Sequence, residues 1–320
     1  MKINHWAAAS TLASTLALAL VVAAPAMAQH VPDGVPAAAA PAAADPAHDA
    51  LRNRVAAYIQ PSNAARLQVV LTQVREAGFE PTVETFEGGG RGQPMQGSNV
   101  VFTIGQGAKE ILLTAHYDAV TLRDGTFSHG VVDNAASVVG VIEAAKTLRG
   151  KALNHRIRVI LFDQEELGLI GARKWIEAHG VANVAAIVNS DVAAFGSTLM
   201  YGQNNGPQSL GMTRAVKEIC AERALQCVGY PVYPPSDDRV FTAAGAPTLS
   251  VGFQDEVGAH QMWLAFNGGE NSGLHDGFVP RVFRQIHTHE DTMDNVEGAT
   301  IALSSATYAA LIEKLDGQLK

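Results

Sequence analysis

Apolar residues recur along this chain in short dense runs, separated by longer stretches with helical spacing. Ile111–Ala115, Arg156–Phe162, Val184–Asn189 and Pro247–Phe253 are the dense runs, and runs of that length read as strands covered on both faces. Glu80–Phe86 and Asn99–Ile104 alternate instead, as half-buried strands do, with the flexible GGGRGQPMQG between them; Thr198–Gly202 is a further short strand. Asp49–Ile59, Ser62–Gly78, Ala135–Leu148, Glu165–His179, Gly206–Ala224, the short Val240–Ala244 and the closing Asn295–Leu315 carry helical periodicity. Ser62 and Asn63 offer N-caps, and Gly78, Gly150, Gly180 and Gly317 stand where helices should stop. Strands alternating with helices of this length predict an α/β fold: a doubly wound, mixed but mainly parallel sheet flanked by helices. Composition does not break after residue 49 and no internal repeat is visible, so residues 49–320 read as a single domain.

The first residues change that picture only by subtraction. Lys2 is a positive n-region, Leu12–Ala24 an apolar run too short for a membrane span, and Ala26-Met27-Ala28 a cleavage signal. Residues 1–28 therefore read as a secretory signal peptide, and 29–48 as an Ala/Pro-rich disordered linker. The expected destination is the periplasm or the medium, with no membrane attachment after cleavage. The chain's formal net charge is −8, and losing Lys2 makes it more negative. That argues against nucleic acid or an anionic membrane as partner. Cys220 and Cys227, the two cysteines, have a separation that suits a small disulfide between a helix end and the next strand; two buried free thiols are the alternative.

Candidate chemistry sits where the strands end. In a doubly wound sheet, ligands bind beyond the carboxyl ends of the strands. His116 and Asp118 close Ile111–Ala115, two apart and so on one face of an extended backbone. Asp133 follows a glycine-containing loop, Glu165 and Glu166 follow Arg156–Phe162, and Asp191 follows Val184–Asn189. Any one of these alone reads best as a helix cap or a solvated loop end. Together they do not, because carboxylates about 4 Å apart repel by roughly 4 kcal/mol per pair at an effective dielectric near 20. A bound divalent metal is the simplest compensation.

HYD (His116–Asp118), VVDNAASVVGVIEAAKTL (Val131–Leu148), FDQEELGLIGARKW (Phe162–Trp175), NSD (Asn189–Asp191), SDDRVF (Ser236–Phe241) and HTHEDT (His287–Thr292) occur in that order. With these motifs the chain, from about Asp49 onward, resembles the co-catalytic zinc aminopeptidases of peptidase family M28. The resemblance implies a three-layer zinc-exopeptidase fold, two zinc ions, and a peptide with a free N-terminus as substrate. It implies Asp133 as a bridge between the ions, His116 and Asp191 completing one site, and Glu166 and His287 the other. Glu165 would be the general base and Asp118 the carboxylate that orients His116. Nitrogen and oxygen ligands suit zinc, and a carboxylate behind a ligating histidine fixes its tautomer.

HTHEDT offers both His287 and His289; the family pattern, a ligand histidine four residues before Asp-Thr, selects His287. SDDRVF has Asp238 where the family often has histidine, so substrate contacts are expected to differ there. Gln254–Ile286 is long for a connection; it reads as a partial lid forming apolar wall, or as an excursion packed on the sheet edge. Tyr230, Tyr233 and Trp263 are the expected apolar substrate pocket, favouring Leu- or Phe-like first residues. The implied protein is a monomeric, secreted aminopeptidase. Glutaminyl cyclase, with the same fold and usually one zinc, is the first rival. An M20-type amidohydrolase would need an inserted domain between Asp191 and His287, where this chain has core strands. A non-catalytic binding protein would not need every ligand and the base.

Overall fold

A computed structural model describes residues 45–90 and 93–319. The expected signal peptide, most of the expected linker, and Arg91 and Gly92 lie outside the described residues.

The described chain opens with two helices, α1 (Pro46–Ala56) and α2 (Asn63–Glu76). α1 begins at Pro46, inside the Ala/Pro-rich stretch, because the Asp45 carboxylate accepts from the Ala47 N–H and Pro46 suits the first turn. Strands β1 (Thr82–Gly88) and β2 (Met95–Ile104) form an antiparallel hairpin, with Gly88 facing Met95, so both run further into the glycine-rich stretch than alternation alone suggests. β3 (Glu110–His116), α3 (Ala136–Leu148), β4 (Arg156–Phe162), α4 (Ile170–His179) and β5 (Val184–Ala193) follow as the first wound half. β6 (Thr198–Gly202), α5 (Leu210–Glu222), β7 (Cys227–Tyr230), α6 (Asp238–Ala243), β8 (Thr248–Gln254), α7 (Glu256–Asn267), α8 (Arg281–Gln285) and α9 (Gly298–Gln318) complete it.

Among the described residues the strands make one eight-stranded sheet in the order β1-β2-β4-β3-β5-β8-β6-β7. Its centre, β4-β3-β5-β8, is parallel; β1, β2 and the β6–β8 pairing are antiparallel. The mixed, mainly parallel sheet is therefore as the periodicity predicts. Period-two alternation divides its core. Ile111, Leu113 and Ala115 join the large cluster under α1, α2, α3, α5 and α9, whereas Leu112, Ile160 and Phe162 face α4 and α6 with Trp175 and Phe241.

Three further differences from periodicity lie at element ends, the first two of them at the polar rim. α4 starts at Ile170, not at Glu165, because Leu169 takes a left-handed conformation and the Ile170 and Gly171 N–H groups donate back to the Gln164 and Asp163 carbonyls; the Glu165 and Glu166 N–H groups donate to the Asp118 carboxylate. β5 continues past Asn189 to Ala193, with a register shift between Ser190 and Ala193 that carries Asp191 out of the ladder. α9 runs through Gly317, and the Asp316 carboxylate anchors its last turn by accepting from the Asn154 and His155 N–H groups. Cys220 and Cys227 form a disulfide, joining the end of α5 to the start of β7.

Candidate metal centre and cleft

The side chains that end β3 and β4 and bulge from β5 meet at one rim of the sheet. His116 is wholly buried; its Nε2 lies 3.1 Å from Asp133 Oδ1 and 3.7 Å from Asp191 Oδ1. On the other side His287 Nε2 lies 3.2 Å from Asp133 Oδ2 and 2.9 Å from Glu166 Oε2. Two groups result, His116–Asp133–Asp191 and Asp133–Glu166–His287, each with ligand atoms within 4.8 Å of one another, and Asp133 belongs to both. Of the histidines in HTHEDT, His287 enters the centre through a left-handed backbone (φ 57°), while His289 turns outward to Asp124, 2.9 Å away.

Asp118 belongs to neither group. Its Oδ1 lies 3.3 Å from His116 Nδ1, too poorly aligned to satisfy that nitrogen as a hydrogen bond. The same carboxylate accepts from the Glu165 and Glu166 N–H groups at 3.1 and 3.2 Å. It thus fixes the imidazole and the glutamate turn relative to each other.

Three supports for this geometry are not visible in any local pattern. Asp291, late in the chain, accepts from the N–H groups of Val131 (2.9 Å), Val132 (2.7 Å) and Asp133 (3.3 Å), holding the loop that presents Asp133. Asn134 donates to the Ser190 carbonyl and accepts from the Val192 N–H, clasping the bulge around Asp191. Arg66 of α2 is buried and donates to the carbonyls of Tyr58, Tyr117, His129 and Gly130, tying together the two backbones that carry His116 and Asp133. Gly130 is required there: its φ is +57°, and a Cβ would meet Ala119 and the Arg66 guanidinium. The Asp-Thr pair after His287 was the one signal in the sequence that pointed towards Asp291.

Electrostatics favours a cationic occupant. Among the described residues no Lys or Arg side chain forms an ion pair with Asp133, Glu166 or Asp191; their charged contacts are imidazoles. Burial, only partly offset by His116, pushes Glu165 up to about 10, with Asp237, Asp191 and Glu166 adding repulsion. Burial and Asp133 raise Glu166 to about 7 against the pull of His287. Contacts with Asp133 and Glu166 raise His287 to about 11. Asp133 is instead held low, because its contacts to His116 and His287 outweigh its burial. Buried carboxylates that resist ionisation, and an Asp191 oxygen with no hydrogen-bond partner, fit an added dication well. The donor set, imidazole nitrogen and carboxylate oxygen, is of the kind zinc takes.

A cleft opens beside these residues, with Asp133, Glu165, Asp191 and His287 at one end. Val192, Met200, Met262, Phe266, Phe283 and Ile286 make its apolar wall. Tyr233 lines it, with Pro234 and Pro235. Tyr230 and Trp263 do not. Tyr230 is buried behind Tyr233, edge to face, with its hydroxyl donating to the Ala259 carbonyl, and the Trp263 indole donates to the Gly229 carbonyl. The stretch after Gln254 does both things open to it: α7 packs on β6, β7 and β8 while Met262, Phe266 and the residues around α8 wall the cleft.

Residues 99–312 match the model of peptidase family M28. The chain belongs to peptidase family M28. Leucine aminopeptidase 2 of Trichophyton rubrum is 23% identical over 222 residues, 66% of this chain and 42% of that protein. The probable lipoprotein aminopeptidase LpqL of Mycobacterium tuberculosis is 25% identical over 230 residues, 64% of this chain and 42% of its own. The chain thus spans about two-fifths of the length of these M28 relatives. Among solved structures, a Zn-dependent exopeptidase from Parabacteroides distasonis superposes with a TM-score of 0.64 at 17% identity, covering 83% of this chain and 96% of that one. A glutaminyl cyclase from Bacteroides thetaiotaomicron does so with a TM-score of 0.65 at 16% identity, covering 83% and 96%. This M28 chain therefore has the zinc-exopeptidase fold. No helix among the described residues is long and apolar enough to cross a membrane.

Proposed function

We propose that this chain is a secreted or periplasmic metallo-aminopeptidase that releases the first residue of peptides, working with two zinc ions. The observation that carries the reading is Asp133. Its two carboxylate oxygens face different histidines, 3.1 Å from His116 and 3.2 Å from His287, as a residue shared by two metal sites would. His116, Asp133 and Asp191 would hold one zinc, and Asp133, Glu166 and His287 the other. Zinc bound there would acidify water and polarise the scissile carbonyl. Glu165 lines the cleft without belonging to either ligand group, which leaves it free as general base. It takes a proton from the attacking water and returns it to the leaving amine. Asp191, which lines the cleft, offers negative charge to the substrate's α-ammonium, which would restrict attack to the first peptide bond. A disulfide between Cys220 and Cys227 fits an oxidising compartment.

Glutaminyl cyclisation is the second reading, since glutaminyl cyclases share this fold. Those from Porphyromonas gingivalis and Tannerella forsythia are covered over 97% of their length, as the Zn-dependent exopeptidase is over 96%. Elemental analysis of purified protein, with Leu-nitroanilide and an N-terminal Gln peptide assayed on the same sample, decides. Two zinc equivalents and release of nitroaniline support the aminopeptidase. One equivalent with loss of ammonia from the Gln peptide and no nitroaniline overturns it.

A further inference from the structure

Of the residues grouped at the metal centre, His287 is the one least held by its surroundings. Its side chain is 52% exposed, against 22% or less for His116, Asp133, Glu166 and Asp191. The two imidazoles also differ behind the ring. Asp118 stands at the His116 Nδ1, whereas the contacts of His287 with Asp133 and Glu166 both use one nitrogen, Nε2. A ligating histidine is ordinarily oriented through its second ring nitrogen. For His287 that task falls to the backbone, which enters the centre in the left-handed region (φ 57°).

That backbone leaves α8 only one residue before His287. α8 is five residues long, too short to hold itself, and the chain reaches it through Ser272–Pro280 without helix or strand. Its place is therefore set by what grips it. Val282 is buried, and the next grip is on the first residue, Arg281. Arg281 Nη1 donates to Asp255 Oδ2 at 3.2 Å and Nη2 to Asn295 Oδ1 at 3.5 Å, while the guanidinium lies 4.6 Å from the centre of the buried Phe195 ring. Each partner belongs to a different part of the cleft's frame. Asp255 caps α7, its other oxygen accepting from the Gly258 N–H. Phe195 follows β5 just past the bulge that presents Asp191. Asn295 also accepts from the Gln285 amide at 2.7 Å, which grips the far end of α8. Arg281 acts from behind the wall: the residues of this segment that line the cleft are Val282, Phe283, Ile286 and His287.

Resting on the two-zinc reading, we propose that Arg281 is a positioning residue for the zinc site that contains His287: it latches α8 to α7, β5 and Asn295, and α8 delivers the imidazole. The test is zinc binding by metal-free full-length protein, measured by competition with a fluorescent chelator, so no turnover is needed. His287→Ala first shows which of the two zinc equivalents belongs to this site. Arg281→Met keeps an apolar stem over Phe195 and removes the charge and both donors. It should weaken that equivalent about tenfold, as a part-exposed ion pair and one cation–π contact together account for, and leave the other within about twofold. In the His287→Ala background the same substitution should move the remaining equivalent by no more than about twofold. Asp255→Asn keeps an acceptor for the Gly258 N–H and should weaken the same equivalent about threefold; it decides alone should Arg281→Met not fold. Unchanged binding, an equal loss in both equivalents, or a loss that persists without His287 overturns the assignment. The two readings fail separately. A wild type that binds one zinc refutes the two-zinc reading, and the latch then stands if Arg281→Met weakens that zinc about tenfold and falls if it does not. Two zinc ions whose affinities ignore Arg281 refute the latch and leave the two-zinc reading intact.

Discussion

Replacing Asp291 by alanine removes the acceptor of three backbone N–H groups at once. Val131, Val132 and Asp133 all donate to its carboxylate, and all three residues are buried. Each orphaned buried donor costs about 1–3 kcal/mol, and because water can enter the space left by the side chain the sum should fall near the low end, about 3 kcal/mol. For a domain of this size that lowers Tm by roughly 6–12 °C. Asp291→Asn is the informative companion. One oxygen remains for Val131 and Val132, while the amide end faces the Asp133 N–H, so about 1 kcal/mol is lost. Because the freed loop is the one that presents Asp133, zinc affinity should drop about 10–100-fold in the alanine variant, the range for loss of a group that orients a ligand. Calorimetric melting of metal-free protein, followed by competition with a fluorescent zinc chelator, reads both quantities. A variant with wild-type Tm and wild-type zinc affinity would show that Asp133 is held by something else.

Glu165→Gln should keep its zinc while turnover of Leu-nitroanilide falls about 10²–10⁴-fold, the usual contribution of a positioned base; undiminished turnover would remove Glu165 from that role. Zinc affinity should rise with pH through neutrality. Without metal, contacts with Asp133 and Glu166 raise His287 to about 11, and burial raises Glu166 to about 7, so at pH 7 binding must displace protons. Calorimetry in buffers of different ionisation enthalpy measures that release, and a buffer-independent heat would contradict it. Replacing Cys220 and Cys227 by serine opens a short loop and should cost about 2–3 kcal/mol by the chain-entropy model, read as a shift in urea midpoint at constant slope. A midpoint unchanged within error would show that the strand pairing of β7 suffices.

Periodicity alone determined the mixed, mainly parallel sheet, because buried central strands must be apolar over their whole length and the helices between them must present one apolar stripe. It also located His116, Asp118, Glu165, Glu166 and Asp191, since each lies at or just past the end of a strand and the ends of parallel strands share a rim. What the sequence could not supply is what holds them. Asp291 reaches Val131 across 160 positions, Asn134 reaches Ser190 across 56, and Arg66 reaches Gly130 across 64. Each reads locally as an ordinary polar residue, and only the tertiary fold makes it a partner. The start of α4 was misread for the same reason: helical spacing extends back to Glu165, but a left-handed residue at Leu169 interrupts it, and Asp118, 47 positions away, holds the glutamate turn instead. The wall of the cleft was legible as apolar but not by residue. Tyr230 and Tyr233 are equally apolar in sequence, and the pairing of β7 with β6 turns one inward and leaves the other at the cleft.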